Sequence, residues 1–285
     1  MNNRKTIRYA ILAALLYAIS TPFSKLLMNK IPPVFMAGFL YLGAAIGMSF
    51  IVMFLHKKNP GCTSFTRDDI PYLIGIVVLD IAAPILLMIA LDNSSAESVS
   101  LLNNFEIVTT SLIAFIIFKE NISLRLWGAI ILITVAGILL SLSDISSLTF
   151  SSYSLMALLA CCCWGLENNC TRKLSHNDPA KIVIIKGFGS GTGALIIAFI
   201  SGIRLRITPY ILLALILGFI AYGLSIYTYV YAQRYIGAAR TSAFYALSPF
   251  VGSVISLIIF PKIPSFLFVT AFIIMAAGSC LATEK

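Results

Sequence analysis

Four charged residues stand inside long apolar runs of this 285-residue chain: Asp80, Glu106, Glu167 and Lys186. A charge at the centre of a bilayer costs at least ~2.5 kcal/mol on insertion scales, so such residues are expected to face a cavity or a partner. Polar neighbours recur around them at helical spacing. Asn103, Glu106 and Thr110 fall at i, i+3 and i+7; Trp164, Glu167, Asn168 and Thr171 fall at i, i+3, i+4 and i+7. Each set makes one stripe on a helix. Thr241, Tyr245, Ser248 and Gly252 form a third stripe, and Tyr222, Ser225 and Tyr229 a fourth. Stripes turned inward would line a polar, aromatic central cavity. Acids and amides there suit an ammonium or hydroxyl group, and Tyr and Trp offer stacking and cation–π faces. The expected ligand is a small amphipathic metabolite, an amino acid or derivative favoured, held by Asn103, Glu106, Trp164, Glu167, Asn168, Tyr222, Tyr245 and Ser248.

The same charges allow gating. A bridge from Glu106 or Glu167 to Lys25 or Lys186 would fix helix packing and could open and close. An acid left without a cation would be a candidate for proton coupling. Asp80, Glu106, Glu167, Lys25 and Lys186 are therefore the gating or proton-coupling candidates. Pro22, Pro84 and Pro249 also lie within apolar runs, where each removes a backbone hydrogen bond, and are the expected hinges.

Other chemistries find little support. Cys161, Cys162 and Cys163 are consecutive, so on a helix they diverge, and Cys62, Cys170 and Cys280 show no CxxC spacing. His56 and His176 have no partner at ligand spacing. No metal or cofactor is expected. The run Gly187-Phe188-Gly189-Ser190-Gly191-Thr192-Gly193 lies within an apolar stretch, not between a strand and a helix, so it is read as small-xxx-small helix packing and not as a phosphate cradle; Gly43 and Gly47 make a similar pair. No HExxH helix, GxSxG elbow or GxxxxGK[ST] loop occurs. An intramembrane enzyme and a nucleotide-driven pump are thereby disfavoured.

The elements that must carry these residues follow from composition. The chain is 59% hydrophobic and 11% charged, against roughly 45–50% and about 25% in soluble domains. Ten apolar spans are expected near residues 7–28, 34–55, 70–91, 98–118, 124–142, 153–174, 180–201, 207–231, 239–260 and 264–282, each long enough for a hydrocarbon core ~30 Å thick. The fold class is thus an all-α integral membrane protein. The formal charge of +9 is distributed unevenly. Fourteen of the 20 Lys and Arg residues fall on the side of the N-terminus and five on the other. By the positive-inside rule both termini are cytoplasmic, in a multi-pass plasma-membrane protein, and the charge marks topology instead of a nucleic-acid partner. The first run is too long for a signal peptide and is kept as a span. Lys119-Glu120 and Lys262 are expected interfacial anchors.

The spans repeat. At an offset of 147, Tyr17 meets Trp164, Ser24 meets Thr171, Lys25 meets Arg172 and Pro32 meets Pro179; at 143, Gly75 meets Gly218, Ala96 meets Ala239 and Ser98 meets Thr241; at 141, Gly137 meets Gly278. Two repeats follow, residues 1–147 and 148–285. Each holds an odd number of spans, so the second enters the membrane from the opposite side, giving inverted halves that can exchange shapes. This arrangement, with Trp164-Gly165-Leu166-Glu167-Asn168-Asn169 running into Thr171-Arg172-Lys173, and Ala238-Ala239-Arg240-Thr241 running through Ser248-Pro249-Phe250, resembles the EamA-type members of the drug/metabolite transporter superfamily along essentially the whole chain. The resemblance implies a secondary transporter, exporting small metabolites, with a passive uniporter or channel-like facilitator as the alternative. One departure stands out: Glu106 occupies the place of Pro249. A single chain has spans enough for a complete pathway, so a monomer in contact with lipid and a small-molecule substrate is expected.

Overall fold

The computed structural model describes residues 3–55, 65–117, 119, 122–144, 149–236, 241, 244–261 and 263–283. His56, Cys62, Glu120, Ala238–Arg240 and Lys262, which figure in the expectations above, lie outside the described residues. The molecule is an all-α membrane protein of ten spans. Span 1 comprises Asn3–Ala18 and Ser20–Leu27, span 2 Pro33–Leu55, span 3 Ile70–Asn93, and span 4 Ala96–Leu102 with Phe105–Ile116. Span 5 is Leu124–Ser141, span 6 Ser152–Leu174 and span 7 Pro179–Ile200. Span 8 runs from Tyr210 to Ile236, the described part of span 9 is Leu247–Ile259, and span 10 is Phe266–Thr283. Seven of these helical stretches are long and apolar enough to cross a membrane, and spans 9 and 10 are shorter apolar helices. Span 6 has the length but carries the site's polar residues. The one described sheet is a two-stranded antiparallel ladder, Leu142–Asp144 with Thr149–Phe150, in the loop between spans 5 and 6.

Local sequence sets the helix ends. Asp178 Oδ1 accepts the amide of Ala180 at 3.0 Å and Pro179 opens span 7, where its missing N–H costs nothing. Ser151 and Ser95 cap spans 6 and 4 in the same way. Gly202, with φ +70°, ends span 7 in the left-handed conformation. Outward faces carry Phe50, Met53, Phe54, Ile131, Ile196 and Ile258, all exposed, as an apolar solvent requires.

Packing follows one scheme. Span 1 packs on span 8 and span 3 on span 6, while spans 2 and 7, 4 and 9, and 5 and 10 pair with each other. Exchanging each span with the one five places along leaves this scheme unchanged. The pairs also run antiparallel: Gly38 approaches Leu195 and Gly191 approaches Leu42, Ser100 Oγ donates to the carbonyl of Pro249 at 3.2 Å while Ser253 Oγ donates to that of Glu97 at 2.9 Å, and Gly137 and Gly278 approach Met275 and Ile133. A two-fold axis lying across the helices produces this relation. Tyr17 and Trp164, aligned at the 147 offset, meet edge-on near the centre, with ring centroids 6.5 Å apart.

Close crossings depend on glycine. A Cβ on Gly43 would lie 2.1 Å from the carbonyl oxygen of Leu215, and one on Gly218 would lie 2.1 Å from that of Leu40, so spans 2 and 8 meet backbone to backbone. The glycine run of span 7 serves two neighbours, as residues two apart on a helix face different ways: Gly187 and Gly191 face span 2, whereas Gly189 and Gly193 face Val77 and Ile81 of span 3. Gly43 and Gly47 face span 8, not span 7. The glycine-rich spans 2 and 7 are thus in contact, but only span 7 contributes its glycine pair to that contact.

The three intramembrane prolines behave differently from one another. Pro22 follows a break at Ile19 that divides span 1. Pro249 stands in the first turn of its helix, where it is tolerated. Pro84 sits within the continuous helix Ile70–Asn93 and deprives the carbonyl of Asp80, four residues earlier, of its helical donor.

Candidate functional site

Span 6 organises the centre. Trp164 and Glu167 occupy its buried face, and Gly165 between them allows span 4 to approach, since a Cβ there would lie 2.4 Å from Thr109 Oγ1. Thr109 Oγ1 donates to the carbonyl of Cys161 at 2.7 Å across the same contact. Asn169 Nδ2 donates to the carbonyls of Thr110 and Gly165, at 3.1 and 2.8 Å. Asn168 Nδ2 donates to Glu106 Oε1 at 2.6 Å and to Thr110 Oγ1 at 3.3 Å. The expected stripe is therefore real, and each of its residues has a separate task.

Lys186, on span 7, is buried between two carboxylates. Its Nζ lies 2.7 Å from Glu167 Oε1 and 3.0 Å from Asp80 Oδ2, tying spans 3, 6 and 7 together. Thr171 Oγ1 also donates to Glu167 Oε1. The Asp80 contact is an ion pair through Oδ2, and Oδ1 has no hydrogen-bond partner among the described residues. Of the four pairings weighed from the sequence, Glu167 with Lys186 is present. Glu106 pairs with neither lysine and accepts its hydrogen bond from Asn168. Lys25 stands elsewhere: its Nζ donates to the carbonyls of Leu91 and Asp92, the latter at 2.8 Å, at the C-terminal end of span 3. There it borders a separate polar cavity with Asp92 and Glu97. A lysine at the end of a span reaches the polar boundary, and the free carbonyls of a helix C-terminus attract it.

The central cavity comprises about 480 Å³ of space not filled by atoms, part of it open solvent. Asp80, Glu106, Trp164, Glu167, Asn168, Lys186, Tyr222 and Tyr245 all line it, together with Thr171 and Tyr229. Tyr17 and Tyr41 line it too, and neither was singled out from the sequence as a site residue. Tyr41 is one aromatic among many apolar residues of span 2, so its only signal was a phenol placed deep in a span. The rings touch in a chain: Tyr41 with Tyr222, Tyr222 with Tyr17, Tyr17 with Tyr245 and Tyr245 with Tyr229, at centroid distances of 5.0 to 5.5 Å. Ser225 Oγ gives its proton to the carbonyl of Ala13 at 2.8 Å, so the Tyr245 hydroxyl, 3.4 Å away, is the donor to Ser225.

Two expected contacts are displaced. Span 4 is not one continuous helix: Asn103 and Asn104 form a turn between its two segments. Asn103 consequently lines a smaller neighbouring cavity with Tyr17, Glu106, Thr110, Tyr245 and Pro249. Ser248 is buried in span 9 and lines neither cavity. Tyr222 sits in a π-helical turn, Phe219–Leu224, that interrupts span 8. Such turns mark functional positions, and no residue pattern announced this one. His176 has a partner, Asp69, 3.9 Å away.

The EamA-like transporter family model matches residues 4–143 and again 151–283. A protein described as an uncharacterized transporter from Methanothermobacter thermautotrophicus is 26% identical over 270 residues, covering 87% of this chain and 77% of its own length. A crystal structure described only as that of a protein superposes with a TM-score of 0.71 at 13% identity, over 98% of both chains. That likeness speaks for the fold alone.

Proposed function

The chain belongs to the EamA-like transporter family, and from that premise we propose that it is a secondary transporter of a small amine-bearing metabolite, an amino acid or a derivative of one. Transport proceeds by alternating access in the direction of export, across the plasma membrane, with both termini in the cytoplasm. The observation that carries this reading is the position of the cavity. Its walls come from both halves, Tyr17, Tyr41, Asp80 and Glu106 from one and Trp164, Glu167, Lys186 and Tyr245 from the other. Movement of either half against the other must alter it, as transporters of inverted repeats require. Buried Ile31, Phe35, Leu87, Leu91, Val99 and Leu102 pack at the span ends opposite the termini and support closure on that side. Because one chain encloses the whole cavity, the working unit is a monomer.

Counterflow in proteoliposomes tests the proposal. Preloaded substrate should accelerate uptake of labelled substrate through a carrier. An open pore would show no such acceleration, and that result would refute alternating access.

A further inference from the structure

Resting on the transporter reading, we infer that the site recognises an organic cation and rejects a free carboxylate on the same molecule, so that within the amino-acid-like class its ligands are amines or carboxyl-masked derivatives. Three carboxylates, Asp80, Glu106 and Glu167, face one central cavity with a single ammonium, Lys186. That ammonium lies within 3.0 Å of two of the carboxylates, whose charges already outnumber its own, so an incoming anion would add a further negative charge around one shared cation. The side-chain amide of Asn168 is already directed at Glu106 and Thr110. A ligand carboxylate would therefore enter among like charges in a poorly solvated space.

Acceptors, by contrast, remain open. Asp80 Oδ1 has no hydrogen-bond partner among the described residues although the residue is fully buried, its Oδ2 facing Lys186, and Glu106 takes one described side-chain hydrogen bond, on Oε1. An ammonium supplies the missing donors and charge together. Tyr17, Tyr41, Trp164, Tyr222, Tyr229 and Tyr245 add the aromatic faces that attract cations. An excess of carboxylate over ammonium and a wall of aromatic rings have one common solution, a cationic ligand.

The experiment measures binding to the purified full-length chain by calorimetry, using phenethylamine, phenylalanine methyl ester, phenylalanine and 3-phenylpropanoate, with choline against its uncharged isostere 3,3-dimethylbutanol. Phenethylamine and the ester should bind about tenfold or more tightly than phenylalanine, as loss of a charge-assisted contact predicts. The propanoate should not bind, and choline should exceed its isostere. Glu106→Gln should weaken the amines by a similar factor while leaving the melting temperature within a few degrees of the parent. Phenylalanine or the propanoate binding as well as phenethylamine, the isostere matching choline, or no amine binding at all would each overturn the inference. Counterflow separates the two proposals. Selective amine binding without counterflow would remove the carrier reading and leave the cation site, whereas counterflow of phenylalanine in preference to phenethylamine would do the reverse.

Discussion

The two halves of the molecule share a backbone plan and differ in chemistry. Span 1 lies on span 8 as span 3 lies on span 6, and the three remaining pairs each join aligned partners. The charged residues have no such symmetry. At the offsets that align the spans, Glu167 falls opposite Ser20, Lys186 opposite Phe39, Asp80 opposite Gly223 and Glu106 opposite Pro249. Each charge has an uncharged counterpart, so the cavity straddles the axis while its polar contacts cluster to one side of it. Spans 4 and 9 show the same divergence in miniature. Span 4 turns at Asn103 and Asn104 and then presents a carboxylate; span 9 puts a proline there. Under the proposed alternating access, symmetry in the backbone would let two equivalent shapes be exchanged, and asymmetry in the side chains would give the proposed ligand one orientation in both.

The largest effect should come from removing the charge that the asymmetry concentrates. Lys186→Met would leave Asp80 and Glu167 buried without their cation, and breaking such a pair costs about 3–5 kcal/mol. The melting temperature in detergent should fall sharply. Adding Glu167→Gln should recover part of the loss, because it removes one of the two stranded charges. A single variant as stable as the parent would show that the triad does not hold spans 3, 6 and 7 together.

Next in size is a test of the symmetric part. Gly43 and Gly189 fall within one residue of each other at the 147 offset, one against span 8 and the other against span 3. Their neighbours differ, however: a Cβ on Gly43 meets the Leu215 backbone at 2.1 Å, and one on Gly189 meets the Val77 side chain at 2.8 Å. Gly43→Ala should destabilise by about 1–3 kcal/mol, the usual cost of overpacking, and Gly189→Ala by less, since a side chain can rotate away. Gly128→Ala is the control. Its Cβ meets nothing within 4 Å, and helix propensity favours alanine by up to about 1 kcal/mol. Equal losses at Gly43 and Gly189 would mean that the crossing of spans 2 and 8 is looser than the structure shows.

What the sequence disclosed follows the same division. Spans were legible because bilayer thickness fixes their length, and the boundaries expected from apolar runs agree with the described helices within about five residues, the start expected for span 9 lying outside the described residues. The polar stripe of span 6 was legible because its helix is unbroken from Ser152 to Leu174. The stripe of span 4 assumed equal continuity, and the turn at Asn103 and Asn104 broke it, carrying Asn103 into the neighbouring cavity. Partner choice was not legible either. Lys25 and Lys186 read alike as lysines near acids, yet one reaches backbone carbonyls at a helix end and the other a carboxylate pair at depth. That difference depends on which spans are neighbours, and helical periodicity within one span contains no such information. Tyr17 and Tyr41 were missed as site residues for the same reason.

The smallest expected effect probes the end of the molecule and not its centre. Lys25 holds the C-terminal carbonyls of span 3 from span 1, with Nζ 2.8 Å from the carbonyl of Asp92. Because Lys25 is partly exposed, water can replace much of what it provides, and a cation at a helix C-terminus contributes about 0.3–1 kcal/mol. Lys25→Met should therefore lower the melting temperature by only a few degrees. Its position predicts a second, separable result. Lys25 aligns with Arg172, which stands at the other end of the bundle in the last turn of span 6. If these cations serve opposite ends of two exchangeable halves, releasing one should shift the balance of shapes. A cysteine at Asn93 should then react faster with a membrane-impermeant maleimide in the Lys25→Met background, and the same cysteine in an Arg172→Met background should not. Equal reactivity in both backgrounds would reduce Lys25 to a local cap and confine the exchange of shapes to the centre.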